Sequence, residues 1–184
     1  MQSRTQHAVS ALGWQGTVIS DVAVLGQRVS AVVRLRADVH RWRTENGWPP
    51  APDPSWFHSW FEPAFHDVVP VSAIELIGIL VTESTVEQAL EACGTLMTLA
   101  PCAVVVPESP DYDPWPLIEL DYYGVGLVRA GDDGPARVEV APEDRASEFG
   151  PSPFSRWLLE VLYAHVTAPG AMLLQHWDGA EQLP

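Results

Sequence analysis

Residues 17–39 carry the clearest structural signal in the chain and read TVISDVAVLGQRVSAVVRLRADV. From Val29 to Val39 every second residue is apolar, and the residues between them are mostly Arg, Ser or Asp. Successive side chains of a strand point to opposite faces, so this alternation predicts a strand with one packed face and one face in water. The preceding run, Thr17–Leu25, predicts another strand, and Gly26-Gln27 predicts a tight turn between them. We therefore expect an antiparallel hairpin.

Two amphipathic helices follow from spacing further along the chain. Ser84-Thr85-Val86-Glu87 matches a capping box, and apolar residues then recur at helical intervals as far as Met97. Pro101 ends this helix. Ser152-Pro153 is a good helix start, because proline at the first helical position gives up an amide that has no partner there. The second helix is predicted to continue over 154–166.

Further strands are predicted around these helices. Residues 71–81 are apolar on nearly both faces, as expected of a central strand. Cys102–Val106 lies beyond the first helix, so strand, helix and strand predict a crossover unit. The remaining strands are predicted at 117–129, 136–141 and 171–177. Residues 131–134 are predicted to form the turn between the first two of these strands.

Together these elements predict a single globular domain over residues 1–184, with residues 1–13 and 179–184 frayed. Hydrophobic residues make up 47% of the chain and charged residues 18%, which is globular rather than disordered composition. The Pro-rich stretches 44–55 and 107–116 predict stiff loops. The predicted class is α+β: a mostly antiparallel or mixed sheet of five to seven strands packed against two amphipathic helices.

The charge of the chain is unevenly distributed. Residues 1–50 hold six Arg and three acids, a net of +3, whereas residues 51–184 hold four Arg and twenty-one acids, a net of −17; these sum to −14. Such acidity disfavours nucleic-acid binding and attracts a basic protein partner, although it also simply keeps a protein soluble. All ten basic residues are Arg, which excludes Schiff-base chemistry on Lys and hints at a GC-rich, bacterial genome.

Several features bear on the compartment. Cys93 and Cys102 are the only cysteines, and both fall at apolar positions, so we expect two buried free thiols in a reducing environment. The first residues lack the layout of a signal peptide, and the apolar run at 68–81 is interrupted by Pro70, Ser72 and Glu75. The expectation is a cytoplasmic protein with no membrane association.

The first candidate site is the set His58, Glu62 and His66, which are four residues apart. On a continuous helix, such spacing would place two imidazoles and a carboxylate on one face, where they could hold a transition metal. Pro63 would break that helix between Glu62 and His66. We therefore favour a surface segment and predict no metal and no cofactor.

The second candidate site is the acidic loop after Cys102–Val106. It contains Glu108, Asp111 and Asp113, with Tyr112 and Trp115 interleaved, but it lacks the spacing of a calcium loop. No catalytic residue is predicted. Instead, carboxylates mixed with aromatic side chains favour a partner-binding surface. The predicted partner-binding residues are Trp56, Trp60, Glu108, Asp111, Tyr112, Asp113 and Trp115.

A third candidate is the arginine cluster Arg34, Arg36, Arg41 and Arg43, with Trp42 among them. Interleaved Arg and Trp could pair with and stack on an anionic ligand. The simpler interpretation is that these arginines neutralise the chain's own carboxylates through surface pairs worth about 0–1 kcal/mol each. Sequence alone leaves both open.

Three functions remain open. The favoured one is an acidic, aromatic-rich protein-binding module, of inhibitor or immunity type, that masks a basic partner. The second is a structural or assembly subunit that adds an exposed strand or Trp-bearing loops to a larger complex. The third is a small metal-dependent enzyme that uses either His58, Glu62 and His66 or the loop with Glu108, Asp111 and Asp113, and elemental analysis is its direct test.

Overall fold

The computed structural model describes residues 2–56, 62, 69–82, 86–108, 115–131 and 134–168. Within these residues, six strands form one sheet in the order β1-β2-β3-β4-β5-β6. The strands are Thr17–Val24 (β1), Gln27–Leu35 (β2), Ile74–Thr82 (β3), Cys102–Val106 (β4), Gly126–Arg129 (β5) and Arg137–Val140 (β6). The helices are Gln2–Ala11 (α1), Ala37–Glu45 (α2), Val86–Leu96 (α3), Trp115–Tyr123 (α4), Ala146–Phe149 (α5) and Pro153–Thr167 (α6).

The sheet is mixed and mostly antiparallel, as predicted. β1, β2 and β3 pair antiparallel, as do β5 and β6. β3 pairs with β4, and β4 with β5, in parallel. The predicted crossover through α3 is therefore confirmed, and α4 makes a second crossover that the sequence did not reveal.

The hairpin of β1 and β2 is confirmed, with its turn one residue earlier than predicted. Leu25 and Gly26 form the turn, with φ of 50° and 81°. Positive φ at both central residues is the geometry that matches the twist of two antiparallel strands. Glycine adopts a positive φ without steric cost, as Gly26 does here. The turn also places Leu25, which has a side chain, in this left-handed region.

The strand predicted from the alternation in β2 was too long. β2 ends at Leu35. Residues 37–39, which were predicted to continue this strand, instead begin the helix α2, which extends to Glu45. Val39 and Arg43 are the buried residues of α2 and lie four apart, as helix geometry requires. Ala37 and Val39 continue the alternation of β2, which explains the error, but on α2 they lie on opposite sides, with Ala37 exposed and Val39 buried.

Both faces of the sheet carry buried residues, which corrects in part the expectation that one face of β2 meets water: on that face Ser30 and Val32 are buried, whereas Arg28 and Arg34 are exposed. The first face packs Val29, Ala31 and Val33 against α3, α4 and α6. The second face buries Val32 against Ala8 and Val9 of α1, and α1 lies in the segment expected to be frayed or weakly helical.

The region 117–129, predicted to be one strand, is a helix followed by a strand. Leu117 and Leu120 of α4 pack on the sheet. Gly124, with φ of 70°, ends the helix: its amide donates to the carbonyl of Asp121, and the amide of Val125 donates to Leu120. This pair of bonds is a Schellman motif, in which glycine is favoured because it adopts the left-handed region without strain.

The helix that starts at Ser152-Pro153 is confirmed. The Ser152 hydroxyl accepts from the amide of Ser155 at 3.0 Å, and the Ser155 hydroxyl accepts from the amide of Ser152 at 2.9 Å. The capping box predicted at 84–87 and the strand predicted at 171–177 lie outside the described residues, apart from Val86 and Glu87 in α3. No described helix combines the length and apolarity needed to cross a membrane.

The two cysteines are buried and free, as predicted. Cys93 on α3 and Cys102 on β4 bring their sulfur atoms to 3.0 Å. The hydrogen bond that Cys102 donates to Cys93, together with burial, raises the pKa of the Cys102 thiol well above its usual value. The Cys102 thiol therefore stays protonated at neutral pH, and both cysteine side chains form part of the core.

Candidate functional site: the exposed face of α4

The predicted arginine cluster is not one surface. Arg34 on β2 holds Glu75 of the neighbouring strand, with hydrogen bonds of 2.7–3.0 Å. Arg43 points into the protein from α2, whereas Trp42 is 47% exposed. Successive residues of a helix point about 100° apart, so Arg41, Trp42 and Arg43 cannot share one face. The interpretation that these arginines neutralise the chain's own carboxylates through surface pairs fits Arg34, whereas Arg43 neutralises a carboxylate in a buried pair.

Arg43 instead forms a buried ion pair with Glu160 of α6. Both side chains are almost completely buried, and two parallel hydrogen bonds of 2.7 and 2.8 Å join them. Arg156 adds a third contact to Glu160 at 3.1 Å. Burial lowers the pKa of Arg156, and the Glu160 charge opposes that shift. We call Arg43, Glu160, Arg156, Tyr163 and His40 the internal network.

The internal network fixes the Pro-rich loop after α2. Arg43 donates to the carbonyls of Trp48 and Pro49, and the amide of Ala51 donates to Glu160 at 3.0 Å. Every donor nitrogen of Arg43 is thereby used, which buried charges require. The role of this cluster is consequently structural.

Tyr163 completes the internal network. The Arg43 guanidinium lies 4.6 Å from the centre of its ring, and His40 Nδ1 lies 2.8 Å from its hydroxyl. Burial raises the pKa of the Tyr163 phenol above its usual value. The hydroxyl thus stays protonated and keeps its bond to His40 at neutral pH.

The exposed side of α4 is the strongest candidate for a functional surface. Trp115, Ile118 and Tyr122 are 62%, 59% and 75% exposed. Their spacing of three and four residues places them in one stripe along the helix, opposite Leu117 and Leu120. We call this stripe, with the flanking carboxylates of Glu119 and Asp121, the α4 face. An exposed apolar stripe of this kind marks an interaction site more often than a solvent surface.

Contacts at its carboxyl end hold α4 in place. The Arg145 guanidinium donates to the carbonyl of Tyr122 at 3.1 Å and pairs with Glu143. The amide of Glu143 donates to Gly124 at 2.9 Å. A cation at this end also complements the helix dipole. The α4 face is therefore presented on a fixed element rather than on a loop.

The carboxylates around the α4 face are not neutralised internally. Within the described residues, seven arginines form ion pairs with five carboxylates: Asp21, Glu75, Glu139, Glu143 and Glu160. Glu119 and Asp121 have no arginine partner there, and neither does Glu108, which is exposed just after β4. The stripe of Trp115, Ile118 and Tyr122 is thus flanked by two carboxylates, Glu119 and Asp121, that no arginine of the described residues neutralises.

The structure locates some of the predicted site residues. Trp115 begins α4, Glu108 follows β4, and Trp56 ends a short 3-10 turn, Pro54–Trp56. Glu62 is exposed. The other predicted residues lie outside the described ranges: Trp60, Asp111, Tyr112, Asp113, His58 and His66. Among the described residues, no group of three or more His, Cys, Asp or Glu side chains could hold a metal ion.

Sequence reasoning missed two members of the α4 face, Ile118 and Tyr122. They were assigned to a strand, and the Gly124 cap was the signal that could have placed them on a helix. It also missed Glu160 as a buried charge. That residue interrupts the apolar run Trp157–Leu162, and a lone acid on such a face requires a cationic partner.

Comparisons of the chain with protein-family models, curated proteins and solved structures give no match.

Proposed function

We propose that this protein is an acidic, aromatic-rich protein-binding module whose α4 face docks on a basic protein partner. The observation that carries the proposal is the exposed stripe of Trp115, Ile118 and Tyr122 on a helix whose opposite side is buried. Such a module would mask a basic surface of its partner, as inhibitor and immunity-type proteins do.

The chemistry of the α4 face suits protein recognition. Trp and Tyr are the residues most enriched at binding hot spots, because a large rigid ring buries much area with little loss of rotamer freedom. Surrounding carboxylates raise the rate of encounter with a basic surface and disfavour acidic competitors. With a net charge of −14, the whole chain contributes to that attraction.

Affinity capture from the native cell at low salt tests the docking surface. The immobilised full chain is compared with Tyr122→Ala and with Trp42→Ala, which removes an exposed aromatic residue from α2. We expect mass spectrometry to identify the same basic protein on the wild-type and Trp42→Ala chains, and little of it on Tyr122→Ala. Equal capture by all three chains, or capture of an acidic protein alone, would contradict the proposal.

The association rate with the captured partner tests the electrostatic part. Raising salt to about 0.5 M shortens the distance over which exposed charges interact to a few ångströms, so association should slow markedly. Asp121→Asn should lower the low-salt rate more than Glu45→Gln, an exposed acid on α2. An association rate that does not depend on salt would contradict electrostatic recruitment.

A further inference from the structure

A cleft of about 550 Å³ opens on the first face of the sheet, between β3, the end of α3 and the start of α6. Its apolar lining includes Ile74, Leu99, Leu158 and Leu159. This volume is within the range of about 300–1,000 Å³ that is usual for small-molecule sites. No residue of the α4 face lines it, so this cleft is a second and separate feature.

The hydroxyl groups on its wall are already engaged within the chain. Ser72 donates to the carbonyl of Ile74 at 2.9 Å, and Thr98 donates to that of Thr95 at 2.7 Å. Ser155 belongs to the capping box of α6 and donates to the carbonyl of Ser152. None of the three has its hydrogen free for a ligand without giving up one of these bonds.

The charged groups on the wall differ from one another. Glu75 is held by Arg34 in a bidentate pair, so its charge is largely compensated. Arg36, immediately after β2, is exposed and also lines the cleft. No carboxylate of the described residues pairs with it. Arg36 is thus a guanidinium available to a ligand beside an apolar surface.

We propose that this cleft binds a small amphipathic carboxylate, with its apolar body on Ile74, Leu99 and Leu158 and its carboxylate on Arg36. The planar guanidinium presents two parallel donors, a geometry that matches a carboxylate. An apolar body is required because the remaining wall offers aliphatic carbon and hydroxyls that are already hydrogen-bonded. A ligand with only the apolar chain would leave Arg36 without a partner from the ligand, and a ligand with only the carboxylate would leave the apolar lining uncovered.

Calorimetric titration of the full chain with decanoate tests the proposal, with acetate and octan-1-ol as probes of the head and the body. We expect saturable one-to-one binding of decanoate, with weaker binding of both controls. Arg36→Gln should weaken decanoate binding about tenfold or more, since a hydrogen bond to a charged group is lost. Arg41→Gln makes the same charge change on an exposed residue outside the lining and should bind as the wild type does.

A second variant locates the apolar body. Thr98→Trp places a large ring in the cleft and should abolish binding while leaving the circular dichroism spectrum unchanged. If Thr98→Trp misfolds, the chemical shifts of Leu99 and Leu158 in the wild-type chain must still respond to decanoate. Absence of saturable binding, equal affinity of Arg36→Gln and wild type, or shifts confined to other residues would overturn the assignment.

Discussion

The internal network and the α4 face use the same residue types in opposite ways. In the internal network, Arg43 and Glu160 are withdrawn from water and satisfy each other. On the α4 face, Asp121 and Tyr122 remain in solvent, and Asp121 has no arginine partner in the described residues. Charge and aromatic content therefore do not distinguish a structural cluster from a binding surface. The two are distinguished by how far the side chains are buried and whether their hydrogen bonds are satisfied within the chain.

The largest expected effect is the removal of the buried carboxylate. Glu160→Gln removes the charge that Arg43 and Arg156 both contact, and breaking a buried ion pair typically costs about 3–5 kcal/mol. We expect a loss of that size in the free energy of unfolding, measured by urea denaturation. The double variant Arg43→Met/Glu160→Met should lose less than the sum of its single variants. Additive losses would show that the pair is not coupled.

Tyr163→Phe tests the outer part of the internal network. It removes the hydrogen bond to His40, which should lower the free energy of unfolding by about 0.5–1.5 kcal/mol near neutral pH. Urea denaturation measures this loss, and Tyr123→Phe, on an exposed ring, is the matched control.

Tyr163→Phe should also change how the free energy of unfolding depends on pH. Because burial raises the phenol pKa in the folded chain, Tyr163 ionises first in the unfolded chain. Its contribution is intact below about pH 10 and is lost as pH rises toward the folded pKa. Tyr163→Phe should therefore make stability less dependent on pH above about 10. An unchanged alkaline slope would contradict the buried phenol.

Arg34→Gln provides the surface counterpart of the Glu160 experiment. It breaks a well-formed pair with Glu75, but both side chains are about half exposed. Exposed pairs contribute about 0–1 kcal/mol, so we expect a loss within that range, shrinking as salt is added. A loss that matched Glu160→Gln would mean that burial does not set the difference between the two pairs.

The smallest effect is expected on the α4 face. Ile118→Ser and Tyr122→Ser remove side chains that are mostly in solvent, so the free energy of unfolding should change by about 0.5 kcal/mol or less. Thermal and urea unfolding provide the measurement, and Leu120→Ser, on the buried side of the same helix, is the destabilising control. A large loss from Tyr122→Ser would assign that ring to the core.

Sequence predicted the fold where one period dominates. β1, β4, α3 and α6 follow from alternation, helical spacing or capping signals, and the strand–helix–strand order indicated a crossover unit. α2 was missed because Ala37 and Val39 continue the alternation of β2. α4 was missed because Trp115, Ile118 and Tyr122 make its solvent side apolar, which hides the helical pattern. Local rules fail most often where function overrides them, so this failure coincides with the candidate site.

Long-range partners were less predictable. Arg43 and Glu160 are far apart in sequence, and nothing local indicates that they meet. Trp115 and Glu108 were chosen for composition alone. Their placement on and beside a stable sheet depends on the two parallel crossovers, which a single sequence does not specify.

The outer strand β1 carries a bulge: Ser20 and Asp21 together face the single residue Ser30 of β2, and Asp21 has φ of 61°. The exposed pair of Asp21 with Arg28 lies at the same point. A twisted, charged rim of this kind resists strand addition from another molecule, which protects the sheet against aggregation. Contacts made through the β1 edge are therefore expected to use side chains rather than a shared ladder of backbone hydrogen bonds.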